Sequence, residues 1–81
     1  MDLKNIQRNL YRVLRKTGVP REIIDEDASF RGDMMMDEND MTCFLYYLED
    51  KFNMNIENDA IPQFFSVKST INYLKARYLC A

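Results

Sequence analysis

The sequence predicts an all-α protein, an up-and-down bundle of three main helices and one short helix, with a long loop between the first and the second. Three observations carry that prediction. Apolar residues recur at spacings of three and four in separate segments; only two glycines and two prolines interrupt 81 residues; and nearly half the residues are apolar while almost a third are charged. Such a composition belongs to a folded chain and not to a disordered one. One domain, 1–81, is expected, with an efficient core, because chains near this length bury only about 60% of the surface they expose unfolded.

The first helix follows from Leu3, Ile6, Leu10, Val13 and Leu14 on one side, with Lys4, Arg8, Arg12 and Arg15 on another. It should end before Gly18-Val19-Pro20. A connection of roughly 20 residues follows, against the usual 2–8 between bundle helices. Ile23, Ile24 and Phe30 can anchor it to the core as an ordered strap, with a short turn at Arg21 to Asp25. The second helix has the cleanest stripe, Met41, Phe44, Leu45, Leu48 and Phe52. Asp37 is its N-cap, Asp40 completes a variant capping box, Glu38 lies in the first turn where the dipole favours an anion, and Asn53 closes the far end. A short third helix runs from Asn58 or Asp59 through Pro62 to about Phe64. Ser66 caps the last helix, with Val67, Ile71, Leu74 and Tyr78 inward. Phe30, Phe44, Phe52, Phe64, Phe65 and Tyr73 are read as core.

Several function classes are weakened by what the chain lacks. Histidine is absent, which removes the commonest general base near neutral pH and the commonest metal ligand. Cys43 and Cys80 form no C-x-x-C pair and are expected as reduced thiols. Asp33, Asp37, Glu38 and Asp40 fail the EF-hand spacing, with no glycine at the turn and no closing glutamate, so no metal is expected. No nucleophile, base and orienting group assemble, so no enzyme is expected and no catalytic residue is assigned. No apolar run is long enough to span a bilayer, and Met1-Asp2-Leu3-Lys4 lacks the apolar core of a secretory signal; a cytoplasmic monomer is expected, without membrane insertion.

The net charge of −2 conceals a segregation along the chain. Residues 1–20 set Lys4, Arg8, Arg12, Arg15 and Lys16 against Asp2, for +4; residues 21–59 set twelve acids against Arg21, Arg31 and Lys51, for −9; residues 60–81 add Lys68, Lys75 and Arg77, for +3. An acidic middle would draw a basic partner to the second helix and oppose nucleic acid there, and the same pattern also serves as intramolecular charge balance. Nucleic-acid binding through the first helix lacks aromatic interleaving and a strong net positive charge.

From Ala28-Ser29-Phe30 through Asp33 and Asp37, then Leu48-Glu49-Asp50-Lys51-Phe52 and Ile56, to Val67 and Ile71-Asn72-Tyr73-Leu74, the chain resembles the acyl carrier proteins without a gap. That resemblance implies the four-helix carrier fold over most of the chain, long first loop included. Family members carry a D-S-L motif at the start of the second helix, and its serine bears a phosphopantetheine arm. The matching residues here are Asp37, Glu38 and Asn39. A carboxylate offers no hydroxyl for the phosphodiester, so the resemblance implies that the usual cofactor, 4′-phosphopantetheine, is not attached at this position. Of the nearby hydroxyls, Thr42 and Ser29, neither follows Asp in a D-S-L context. Glu38 either imitates the charge of the missing phosphodiester or simply complements the helix dipole.

Carrier proteins are recognised through this helix by acids that meet basic patches, and Asp37, Asp40, Glu49 and Asp50 match that pattern. Cys43, Tyr46 and Tyr47 point away from the core stripe on a regular wheel, which makes the surface more aromatic; the alternative is that both tyrosines lie over the strap. The expected partner-binding set is Asp37, Glu38, Asp40, Cys43, Tyr46, Tyr47 and Asp50, and the partners are acyl-handling enzymes with a basic docking patch. Aromatic filling of the bundle predicts a dry interior without an acyl tunnel. The leading expectation is a carrier-like binding module in fatty-acid or polyketide-type metabolism that lacks the conventional attachment site. A working carrier with non-standard cargo attachment and a helical adaptor unrelated to acyl metabolism are the alternatives.

Overall fold

In the computed structural model, which describes residues 2–78, the apolar stripe of the first segment becomes the buried side of α1, Leu3–Thr17, through Ile6, Leu10, Val13 and Leu14. Asp2 caps it, its carboxylate accepting from the Asn5 N–H at 2.9 Å. Gly18 ends it: with φ at 115° in the left-handed region, its N–H turns back to the Arg15 and Leu14 carbonyls, a conformation that costs glycine little. Leu3, expected on the inward stripe, is the first residue of α1 and is 41% exposed.

α2 spans Glu38–Phe52 and α3 spans Val67–Tyr78; both pack on α1. Asn53 closes α2 in a left-handed conformation, φ 51°, which asparagine tolerates better than most residues. α3 is started by Ser66, whose hydroxyl accepts from the Ser69 N–H at 3.0 Å. Its buried face is Val67, Thr70, Ile71 and Leu74; Tyr78 is half-buried, its ring 5.9 Å from that of Phe52 and its hydroxyl donating to the Phe52 carbonyl. Thr70 is the one buried polar residue among the described residues. It is tolerated in the core because its hydroxyl donates to the Ser66 carbonyl at 2.9 Å.

The short helix is a 3-10 segment, Asn58–Gln63. Six residues are few to nucleate an α-helix, and Pro62 has no N–H to donate. A second 3-10 turn, Arg21–Ile23, opens the strap. The strap is ordered by pairing with the start of α3: the Phe30 N–H donates to the Phe65 carbonyl at 3.0 Å, and the Val67 and Lys68 N–H groups donate to the Ala28 and Glu26 carbonyls at 3.1 Å. Ala28, Phe30, Met34 and Met36 are thereby buried. Ile24 packs partly against the core, whereas Ile23, expected to anchor the strap, is exposed at the end of its turn. Phe65 is also corrected, at 63% exposed: its carbonyl faces Phe30, and the ring is left outside.

One core joins the three helices and the strap. At its centre Phe30 and Phe44 meet edge to face, 4.9 Å between centroids, and Phe64 meets Tyr73 in the same way at 4.8 Å. Burial of each such ring stabilises by roughly 1.5–3 kcal/mol relative to exposure, which is large for a domain this small.

Candidate functional site

The acidic entrance of α2 is built by its own sequence. Asp37 stands in extended backbone and its carboxylate accepts from the Asp40 N–H at 2.8 Å, while the Asp40 carboxylate accepts from the Asp37 N–H at 3.2 Å. The capping box read from the residue types is formed, and it satisfies two backbone donors that the helix end would leave orphaned. Glu38 is the first residue of α2 and its side chain is exposed, on the positive end of the helix dipole. Just before it, Met34 and Met36 plug into the core while Met35, at φ 53°, is 81% exposed. The entrance turn is therefore held by the core on one side and the capping box on the other, and Glu38 is displayed from it.

Farther along α2, Asn39, Cys43, Tyr46 and Asp50 form an exposed stripe at spacings of four, three and four. Tyr46 is 66% exposed. Tyr47 departs from the expected outward direction. It is half-buried against the core on the flank facing α1, with the Lys16 ammonium 4.8 Å from its ring centroid. The cause is geometric: one step of about 100° beyond Tyr46 carries position 47 off the outward stripe and into the α1–α2 seam. It covers α1 and not the strap. Cys43 is a free, exposed thiol; Cys80 lies outside the described residues.

Glu49 is also differently employed. Its carboxylate accepts from the Ile56 N–H at 2.8 Å and so holds the loop after α2, which reduces its availability to a partner. Beside it runs a groove of about 370 Å³ between α2 and the 3-10 segment, walled by Thr42, Leu45, Tyr46, Glu49, Ile56 and Ile61. Sequence reasoning missed this groove. Leu45 lies at the edge of the apolar stripe and signals it only weakly, and nothing local indicates that Ile61 would sit opposite.

The two hydroxyls near the entrance are both engaged. Thr42 donates to the Glu38 carbonyl at 2.9 Å, and the Ser29 hydroxyl accepts from the Gly32 and Asp33 N–H groups at 3.2 and 3.1 Å. A Cβ at Gly32 would stand 2.5 Å from the Ser29 Oγ, so a larger residue there would require that hydroxyl to turn aside. Among the described residues no group of three or more Cys, Asp and Glu side chains is arranged to hold a metal ion, and no helix is long and apolar enough to cross a membrane.

A helical bundle with a core-pinned strap leading to an exposed, acidic helix entrance is the architecture of a small all-α protein built around one core. Comparison with known proteins gives that class its family. The chain is 32% identical over 65 residues to an acyl carrier protein of Chlamydia caviae, covering 80% of this chain and 84% of that one. It is 29% identical over 62 residues to an acyl carrier protein of Beutenbergia cavernae, 76% of each, and 26% identical over 78 residues to one of Buchnera aphidicola, 95% of this chain and 98% of that one. No family model matches. The chain belongs to the acyl carrier protein family, whose members are carriers and not enzymes.

Proposed function

We propose that this protein is a carrier-like docking module without the conventional phosphopantetheine attachment site, acting in the cytoplasm as a monomer beside enzymes of fatty-acid or polyketide-type acyl metabolism. The observation that carries the reading is Glu38, exposed in the first turn of α2 directly after the capping aspartate. In the gapless register this is the tether position. A phosphodiester requires a hydroxyl there, and a carboxylate does not fit that chemistry. Thr42 and Ser29 are poor substitutes, because each hydroxyl is held in a local hydrogen-bond arrangement away from a D-S-L context.

The entrance then works through charge and shape. Glu38 holds an anion on the positive end of α2, close to where a tethered phosphodiester would hold one, so an enzyme with a basic patch meets a familiar potential without cargo. Asp37 and Asp40 add to that field while fixing the turn. Tyr46, on the rim of the groove that contains Leu45 and Ile61, supplies the apolar anchor that gives such a contact its strength, with Cys43 and Asp50 flanking it; Tyr47 contributes by bracing α2 against α1. The packed aromatic centre favours a bundle that carries no acyl chain inside.

The test is incubation with coenzyme A and a broad-specificity phosphopantetheinyl transferase, followed by intact-mass spectrometry. An unchanged mass is expected. Addition of one prosthetic arm at Thr42, Ser29 or another hydroxyl would replace this reading with that of a working carrier.

A further inference from the structure

A second groove, unrelated to the entrance of α2, lies between α1 and the start of the strap, has a volume of about 370 Å³, and is lined by Arg8, Tyr11, Arg12, Arg15, Arg21 and Ile24. We propose that this groove docks an acidic α-helix of a partner protein, so that the molecule offers two surfaces of opposite sign. Arg8, Arg12 and Arg15 follow one another at i, i+4 and i+7, all exposed, so their Cα atoms lie along about 10 Å of helix axis. That interval matches carboxylates one and two turns apart on a second helix and is too long for one phosphate group. Arg21 faces them from the 3-10 turn, and half-buried Tyr11 and Ile24 form a floor against which aliphatic stems can pack.

Residue type adds specificity. Every cation lining the groove is arginine, although the same segment has lysines at Lys4 and Lys16 that do not line it. A planar fork of donors suits paired recognition of carboxylates, where a lysine would give only a point charge. Tyr11 keeps its phenol proton well into alkaline conditions, because burial and then the charges of Glu26 and Asp25 disfavour the phenolate, and it remains a donor. Farther along the strap, Glu22, Asp25, Asp27 and Asp33 line an adjoining acidic hollow. A nucleic-acid duplex or an anionic membrane is broad enough to meet both regions and be repelled by the second. A single helix laid along α1 meets the arginines, with Asp25 and Glu26 of the strap as the opposing charges near Tyr11.

The deciding experiment titrates the ¹⁵N-labelled full chain with a capped alanine-based peptide of about 16 residues, helical at that length when cold, with glutamates at i, i+4 and i+7 on one face. The same peptide with glutamine at those positions, phosphatidylserine vesicles and a DNA duplex form the other arms. Saturable amide shifts confined to residues 8–24 are expected, absent with the glutamine peptide. The triple variant Arg8→Gln, Arg12→Gln, Arg15→Gln should weaken affinity by at least about tenfold, Arg12→Gln alone by about threefold, and Lys68→Gln by less than about twofold. These side chains are exposed, and far-UV melting of each variant confirms the fold. Absence of saturable binding, shifts centred on α2, retention of affinity in the triple variant, or tighter binding to vesicles or duplex would each overturn the proposal.

Discussion

Replacing Asp37 with alanine tests how Glu38 is presented. The substitution removes the acceptor of the 2.8 Å bond from the Asp40 N–H and one negative charge from the helix entrance, and it leaves Asp40 with only its 3.2 Å bond from the residue 37 N–H. Loss of an N-cap and its favourable dipole contact together costs about 1–2 kcal/mol. For a domain of 60–100 residues each kcal/mol moves Tm by about 4–8 °C, so a fall of roughly 4–16 °C is expected. Thermal and urea denaturation followed by far-UV circular dichroism measures it. Asp37→Asn should recover most of the loss, since the amide oxygen still accepts, and Asp40→Ala should cost about 0.5 kcal/mol, as the longer bond is the weaker one. The double variant should lose less than the sum, because the two side chains form one reciprocal unit. A change below about 0.3 kcal/mol for Asp37→Ala would refute the view that the capping box holds the entrance turn.

Two further outcomes follow from the packing. Phe44→Ala removes a fully buried ring from the edge-to-face pair with Phe30 and should cost about 3–5 kcal/mol, enough to leave much of the population unfolded, as amide spectra would show. Tyr11 has a folded-state pKa raised above its ordinary value of 10.0, so the stability it contributes is fully present below that value and is lost as pH rises through the folded pKa. Stability measured by denaturation at about pH 8 and about pH 11 should therefore fall less in Tyr11→Phe than in the parent.

Local patterns were legible in the residues and distributed ones were not. The stripe of α1 from Ile6 onward, that of α2, the Gly18 and Asn53 stops, the Asp37–Asp40 box and the Ser66 cap depend on neighbours within one or two turns, and all appear in the structure. Tyr47, Ile23 and Phe65 depart from the local pattern because their burial depends on which flank a distant element covers. Pairing of the strap with the start of α3 joins residues far apart in sequence, and no local signal announces it. The groove walled by Leu45 and Ile61 was missed for the same reason. At the entrance of α2, residue types alone identify a cap and an acidic turn. Only the likeness to carrier proteins gives position 38 its chemical meaning.

The most direct measurement is therefore made on Glu38→Ser. Treated with coenzyme A and the transferase, this variant should gain the mass of a single phosphopantetheine arm, and peptide mapping should locate it at position 38, because the capping aspartate, the entrance turn and the acidic face of α2 are already in place. A Glu38→Ser protein that folds normally and remains unmodified, or one modified at a different residue, would contradict the assignment of position 38 as the lost attachment site.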